Sequence, residues 1–445
     1  MKLYTKNVGS NYLAKVVSIK EVQPHPNADK LALTFIDGNK VIVGKNTKVG
    51  DLYIFFPLES TINKDLIKSI NGFSDPILNA DGKSKGFFTD KARVRAVKLR
   101  GVPSEGYLMG IESFLAWIGA SSETFKLESY LNKEFDSVDS NTMKEVLVCE
   151  KYRPPRQYSK GPANTPKKDK TKRFDRMVEG QFHFHVDTAQ LKKNIHTINP
   201  DDLITISYKC HGSSIVISNI LVKRKLTWKD KIAKLFGVKI QELDYDVIYS
   251  SRNVIKNSYL YEEDKTPNHW YKEDIWGLAK DRIADKIEKG ITIYGEIVGQ
   301  TPQGSWIQKN YDYGCNPNEF EVYVYRITNT NPDGKVTEFT TEQMVRYCDR
   351  KGLKTVPIYF YGRAKELVNR VSIEDFRKDL LEYLTSKYME LPCNMCKNNV
   401  PAEGIVVTVE KNEFTAFKLK SFAFYEQETK LLDAGEVDTE TEQTL

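Results

Sequence analysis

The chain has 445 residues, 40% hydrophobic and 11% aromatic, too long for one ordinary core and too rich in core-forming side chains to be disordered. Its net charge of +6 is a mild basic bias, which suits a polyanionic partner without requiring one. No run approaches the roughly 20 apolar residues of a membrane span, the start Met1-Lys2-Leu3-Tyr4-Thr5-Lys6 lacks a secretion signal's apolar stretch, and six scattered cysteines do not suggest a disulfide framework, so a cytoplasmic, membrane-free protein is expected.

Short β-like runs come first, at residues 13–19, 31–36, 40–43, 52–56, 92–99 and 107–110, broken by turn signals such as Asp37-Gly38-Asn39. Strands at this spacing predict a small barrel, an OB-like module over residues 1–150. Residues 111–149 read as mainly helical, with one helix over 112–118 stopped by Gly119. Residues 151–176 form a Pro-rich basic linker; from 150 to 176 there are ten Lys or Arg against three Asp or Glu. Residues 177–425 mix strands at 203–208, 214–219, 246–251, 291–298, 321–327, 404–409 and 415–419 with helices at 228–236 and 373–388. Regular βαβ alternation is missing, so the class is α+β with antiparallel sheets. Residues 426–445 read as an acidic tail.

Chemistry concentrates on strand ends. Thr205, Ser207 and Lys209 share one face of their strand, while Ile204, Ile206 and Tyr208 take the other. Gly212 then allows a tight turn and close approach of a ligand. Tyr294 and Glu296 share the face opposite Ile291 and Ile293, Lys418 and Lys420 project together, and Ser250-Ser251-Arg252-Asn253 ends another strand in a polar cluster. Each case alone reads as a solvated strand face. Their order changes that reading.

The series Lys209-Cys210-His211-Gly212, Ser250-Ser251-Arg252-Asn253, Tyr294-Gly295-Glu296, Phe320-Glu321-Val322-Tyr323-Val324-Tyr325, Glu403-Gly404-Ile405-Val406-Val407 and Lys418-Leu419-Lys420 resembles motifs I, Ia, III, IIIa, IV and V of the covalent nucleotidyltransferases, the polynucleotide ligases and mRNA capping enzymes. His211 and the downstream Ser-Arg-Asn resemble the RNA ligase branch. A barrel in front, with about 23 residues after motif V, resembles the fifth RNA ligase family, which carries an N-terminal OB domain and seals nicks. Lys98-Leu99-Arg100-Gly101 with Ser104-Glu105-Gly106 is also similar to that group, and His25-Pro26-Asn27-Ala28-Asp29-Lys30-Leu31 resembles a stretch of tRNA-binding OB modules.

The resemblance implies an ATP-dependent RNA ligase with an ATP-grasp-like ligase domain, probed by these residues. Lys209 would attack the α-phosphorus of ATP and carry AMP. Neutralising an ordinary lysine at pH 7 costs about 4–5 kcal/mol, which neighbouring cations reduce. Tyr208, Gly212, Arg252, Asn253, Glu296, Tyr325, Lys418 and Lys420 would hold the nucleotide, Glu296 at the ribose and Tyr325 against adenine. Glu403 would hold Mg2+ or Mn2+. AMP would pass to an RNA 5′-phosphate and be displaced by a 3′-hydroxyl, on a nicked duplex and by a monomer, with Lys91, Arg93, Arg95, Lys98 and Arg100 touching phosphates. Arg326 stands where relatives often carry Asp, and Tyr208 where they frequently carry a polar residue that reads the adenine edge, so preference for ATP over GTP follows from the resemblance alone. A DNA or RNA–DNA hybrid ligase, a catalytically inactive nucleic-acid-binding relative and a capping guanylyltransferase remain open alternatives. Cys393-Asn394-Met395-Cys396 reads as reduced thiols, ahead of half a zinc site or a redox pair, and Phe182-His183-Phe184-His185 as packing or RNA contact ahead of a metal site.

Overall fold

A computed structural model of the chain describes residues 2–120, 127–139, 144–154, 174–257, 271 and 273–435. They divide into two units. The first comprises the described residues within 2–154, 189–195 and 422–435, and the second those within 174–188 and 196–421. Among the described residues no helix is long and apolar enough to cross a membrane. Most of the linker expected at 151–176 lies outside the described residues.

In the first unit β1 (Ala14–Ser18), β2 (Gln23–Pro24), β3 (Leu31–Ile36), β4 (Asn39–Gly44), β5 (Leu52–Pro57), β6 (Gly106–Gly110) and β7 (Glu134–Phe135) form antiparallel sheets ordered β6-β5-β1-β7 and β2-β3-β4. The β3–β4 hairpin turns on Asp37 and Gly38, both at positive φ (47° and 74°), the backbone of a two-residue turn matched to strand twist. Curvature buries both faces of β5: Phe56 joins a core with Ala14, Val16, Phe88, Phe114 and Phe135, while Phe55 packs with Val17, Ile19, Val41 and Leu108. The helix Ile111–Trp117 ends before Gly119, which takes φ 68°. Beyond it the helical expectation fails: the described residues up to 151 form one short 3-10 turn and the strands Glu134–Phe135, Ser137–Asp139, Val146–Leu147 and Cys149–Lys151.

A second correction concerns the basic side chains predicted to touch phosphates. The helix Phe422–Asp433 belongs to this first unit, so the start of the expected acidic tail is structured. Four of the five basic residues bind it. Lys91 Nζ donates to Leu432 O (2.8 Å), Arg93 to Thr429 O (3.2 Å) and Asp433 (2.9 Å), Arg95 to Asp433 (3.3 Å) and Lys98 to Glu426 (3.1 Å). Arg93 is 1% exposed and lies over the Tyr152 ring at 5.1 Å, which leaves it no surface for phosphate. Arg100 stays exposed in its turn, at φ 49°. His25, from the stretch resembling tRNA-binding modules, is 6% exposed and bridges Asn27 N to Leu99 O, a structural clasp. Arg93→Ala removes both the ion pair and the stem packing, and is expected to destabilise the unit by about 2–3 kcal/mol in denaturant titration.

The second unit carries β8 (Leu203–Tyr208), β9 (Ser213–Lys223), β10 (Leu243–Ser250), β11 (Ile291–Gly299), β12 (Phe320–Thr330), β13 (Val336–Glu338), β14 (Ile358–Arg363), β15 (Gly404–Val409) and β16 (Thr415–Lys420). One antiparallel sheet runs β16-β15-β8-β14, the other β10-β9-β11-β12-β13. Ile215, Ile217, Ile293, Ile297, Val322 and Val324 pack the second sheet against the helices Ile275–Ile283 and Thr341–Lys351, through Trp276, Ala279, Met344 and Tyr347. Period-two alternation therefore turns Ser214, Glu296 and Tyr323 to the opposite face. The helix at Thr341–Lys351 went unread in the sequence although it carries a Thr340/Gln343 capping box and a left-handed Gly352.

Candidate active site

The site is built around a ladder that outlives its strand. β8 ends at Tyr208, yet Lys209 N still donates to Gly404 O (3.0 Å), continuing the register Ser207↔Val406 and Tyr208↔Ile405. Across β15 the register continues as Gly404↔Lys420 and Val406↔Lys418. Lys209, Lys420 and the residue preceding Gly404 therefore meet at one end of the sheet. That residue is Glu403, 2% exposed: Oε1 lies 2.7 Å from Lys209 Nζ and 3.3 Å from Lys420 Nζ, and Oε2 lies 3.9 Å from His211 Nδ1. Burying one carboxylate between two ammonium groups offsets the desolvation of all three.

Two glycines make this closeness possible. A Cβ on Gly404, at φ 142°, would lie 2.0 Å from Leu419 O, so no other residue fits where β15 starts against β16. A Cβ on Gly212 would lie 2.5 Å from Ile297 O and 3.2 Å from Glu296 Oε2. The turn after Lys209 thus presses its backbone on β11 and brings Glu296 to the same place.

The remaining cations stand behind. Burial pushes the Lys418 amine down to about 8, and Lys420 and Lys209 add to the effect, with Asp187 partly opposing it. Asp187 receives Arg252 Nε at 3.1 Å. Burial would raise the Asp187 carboxyl, but Arg252, then His185 and Lys418, outweigh it and hold it below the usual range. Asn253 lies exposed beside Arg252.

Tyr325 sits in an irregularity. The β11–β12 pairing passes from Tyr294↔Arg326 to Gly295↔Val324, leaving Tyr325 as the extra residue of a bulge, a device that re-aims a side chain beside a site. Its hydroxyl meets His185 Nδ1 at 2.8 Å, and burial, then Glu296, raise it far above the ordinary phenol range. Arg326 does not replace the acid seen in relatives; it pairs with Glu338 (2.9 Å) and stacks between Tyr294 (4.3 Å) and Phe414 (4.2 Å).

One expected nucleotide ligand is corrected. The Tyr208 side chain leaves the cleft face, 3% exposed, and donates its hydroxyl to Cys393 Sγ (2.9 Å) with its ring edge-on to Tyr313 and Tyr359. Strand alternation dictates this, because Lys209 takes the other face. Two residues were missed or underread. Asp187 gives no signal, a single acid following the Phe182–His185 run, and in the sequence His185 reads as packing or RNA contact. Among the described residues no cluster of three or more His, Cys, Asp or Glu could hold a metal ion. Lys209, Lys418, Lys420 and Arg252 thus gather among Glu403, Glu296 and Asp187, and cations so grouped are able to bind phosphate groups.

Residues 202–422 match the family model described as RNA ligase, and residues 13–111 match one described as an OB-fold domain. Among solved structures the chain is similar to a lysine-to-methionine variant of a Naegleria gruberi RNA ligase with AMP and Mn (16% identity, covering 93% of this chain and 98% of that one, TM-score 0.55). It is likewise similar to a lysine-to-alanine variant of that ligase with ATP and Mn (16%, 96% and 99%, 0.54) and to the ligase with PPi (15%, 95% and 100%, 0.54). At such identities the likeness speaks for the fold, an α+β chain with an OB domain in front. No curated protein sequence matches the chain.

Proposed function

With residues 202–422 placing this chain in the RNA ligase family, we propose that it joins RNA 3′-hydroxyl and 5′-phosphate ends through an adenylate carried on Lys209, with ATP as the nucleotide donor. The observation that carries the reading is the contact of Lys209 Nζ with Glu403 at 2.7 Å, inside a group of three further cations. The amine must lose a proton to attack. Glu403 is placed to receive it directly or pass it to water, and Lys418, Lys420 and Arg252 offset charge on the phosphates as pyrophosphate departs. The new bond joins Lys209 Nζ to the α-phosphorus, and the bond to the bridging oxygen of pyrophosphate breaks.

Glu296, pressed against the Gly212 turn, would accept from the ribose hydroxyls, and Tyr325 or Tyr323 would cover the base. A single buried carboxylate amid phosphate-binding cations fits an ion that keeps most of its ligands as water and phosphate oxygen. Glu403 would hold Mg2+ or Mn2+ there, and the ion would supply charge neutralisation at the phosphates. AMP would then pass from Lys209 to the RNA 5′-phosphate, and the 3′-hydroxyl would displace it, on a nicked duplex bound by a monomer. Of the five basic residues proposed to contact phosphate, Arg100 and Lys98 are exposed, Lys98 while paired with Glu426. In the domain plan we propose, the module of residues 1–150 grips the strand and 177–425 performs the chemistry.

The test is incubation with α-labelled ATP and Mg2+ or Mn2+. Label should enter the protein, and a chase with nicked RNA should transfer it and seal the strand. Exchanging ribose for deoxyribose on either side of the nick separates an RNA ligase from one acting on DNA or hybrids, and label from GTP alone would point to capping chemistry. Lys418 adds a pH signature. With the free amine at about 8, a bound triphosphate, which favours the ammonium, must restore its proton above that pH. The KM for ATP should therefore be flat below about 8 and rise above it, by up to about tenfold per pH unit, and Lys418→Met should raise KM at pH 7 and abolish the break.

A further inference from the structure

Beneath the nucleophile's strand, on the face away from the cleft, lies a pair of thiols that the ligation chemistry does not use. Cys393 Sγ and Cys396 Sγ are 3.1 Å apart, both reduced. Their loop is pinned: Cys393 N donates to Val400 O (2.8 Å), and the Asp312 carboxylate accepts from Lys397 N, Asn398 N and Gly314 N at 3.0, 3.0 and 2.8 Å. The sulfurs therefore already face each other and need to close by only about 1 Å to reach bonding distance. Cys393 is 4% exposed, whereas Cys396 is half-buried.

We propose that Cys393 and Cys396 are an oxidation site, a dithiol that peroxide converts to a disulfide, and that its redox state governs the placement of Lys209 through Tyr208. The link is physical. The Tyr208 hydroxyl donates to Cys393 Sγ at 2.9 Å, and Tyr208 immediately precedes Lys209. Tyr313 packs edge-on against Tyr208 and accepts a hydrogen bond from His211 N (2.6 Å), on the other side of Lys209. The nucleophile is thus flanked on both sides by residues anchored on this buried cluster.

The chemistry balances with hydrogen peroxide as the oxidant. The hydrogen bond shared with Cys396, opposed by burial and helped by the Tyr208 hydroxyl, holds Cys393 down to about 6, so its thiolate is the attacking group, while Cys396 is raised and keeps its proton. The Cys393 thiolate takes one peroxide oxygen as a sulfenic acid, and the departing hydroxide becomes water. The Cys396 sulfur then attacks Cys393 Sγ and displaces the second hydroxide, which leaves as water with the Cys396 proton. The pair loses two electrons, and peroxide gains them. A thiolate accepts a hydrogen bond well and a disulfide sulfur poorly, so oxidation strips the buried Tyr208 hydroxyl of its acceptor. Cys210, adjacent to Lys209, is pushed well above the ordinary thiol range by burial and is a poor competitor.

The influence on adenylylation rests on the functional reading above; formation of the disulfide does not. The full-length protein is treated with a small molar excess of peroxide, alkylated and peptide-mapped, and in parallel labelled with α-labelled ATP before and after a dithiol reductant. The expected result is a 393–396 disulfide, a fall in labelling of fivefold or more, and recovery on reduction. Cys396→Ser should label like the reduced wild type and resist peroxide. Tyr208→Phe should still form the disulfide while its labelling becomes insensitive to it. Separate alkylation of both cysteines after peroxide, or one tightly bound metal ion per chain on the reduced pair, overturns the site. Equal loss in Cys396→Ser overturns the coupling. A protein that forms the disulfide but never takes label counts against the ligase reading and leaves the thiol chemistry standing.

Discussion

Lys209→Ala will take up no label from α-labelled ATP, a loss of at least about 10³-fold, with a smaller fall in melting temperature than Glu403→Gln, because Lys420 still pairs with the buried Glu403. The expectation separates chemistry from folding because the side chain and backbone of Lys209 do different things. The backbone N–H holds the register on Gly404 O and survives the substitution, as does the bond from Lys420 to Glu403. Only the amine is lost; Lys418 and Lys420, both on β16, stay in place. Supplied with pre-adenylylated RNA, the same variant should still seal nicks, because that step needs only the cleft and the ends. Label on Lys209→Ala equal to the wild type would end the assignment.

Glu403→Gln is the second large effect, expected to cut adenylylation by about 10²-fold or more and to lower the melting temperature as well. The amide keeps the volume but leaves two ammonium groups, Lys209 at 2.7 Å and Lys420 at 3.3 Å from the former carboxylate oxygen, without their shared counter-charge. Removing one member of a buried ion group costs more than the group contributes, because the partners stay desolvated. A variant whose labelling falls while its stability does not would place Glu403 at the metal alone. Raising the Mg2+ or Mn2+ concentration distinguishes the roles: rescue of rate without rescue of stability assigns the loss to ion binding.

Much of the fold was legible because it follows from alternation. Leu203–Tyr208, Gly404–Val409 and the helix Ile373–Tyr388 have the bounds that periodicity suggested. Residues 111–149 misled because apolar residues there are spaced ambiguously, and long-range pairing decided for strands: Glu134–Phe135 pairs with Ala14–Lys15 and Cys149–Lys151 with Ser60–Ile62. The basic run from Lys91 to Lys98 could not be separated from a nucleic-acid surface without the helix some 330 residues away that neutralises it.

The chain's order of residues pointed to the groups proposed to carry the chemistry: a lysine and a glycine three apart, an acid followed by glycine, and two lysines on one strand face, the last set by the period of two that any strand obeys. Tertiary structure decided what those groups meet. It placed Glu403 between Lys209 and Lys420, supplied Asp187 and His185, and turned Tyr208 down onto Cys393. The physical reason is range. Alternation is a property of neighbours along the backbone, whereas a buried charge is stabilised by whatever partner the packing brings within a few ångströms, and nothing local encodes that partner.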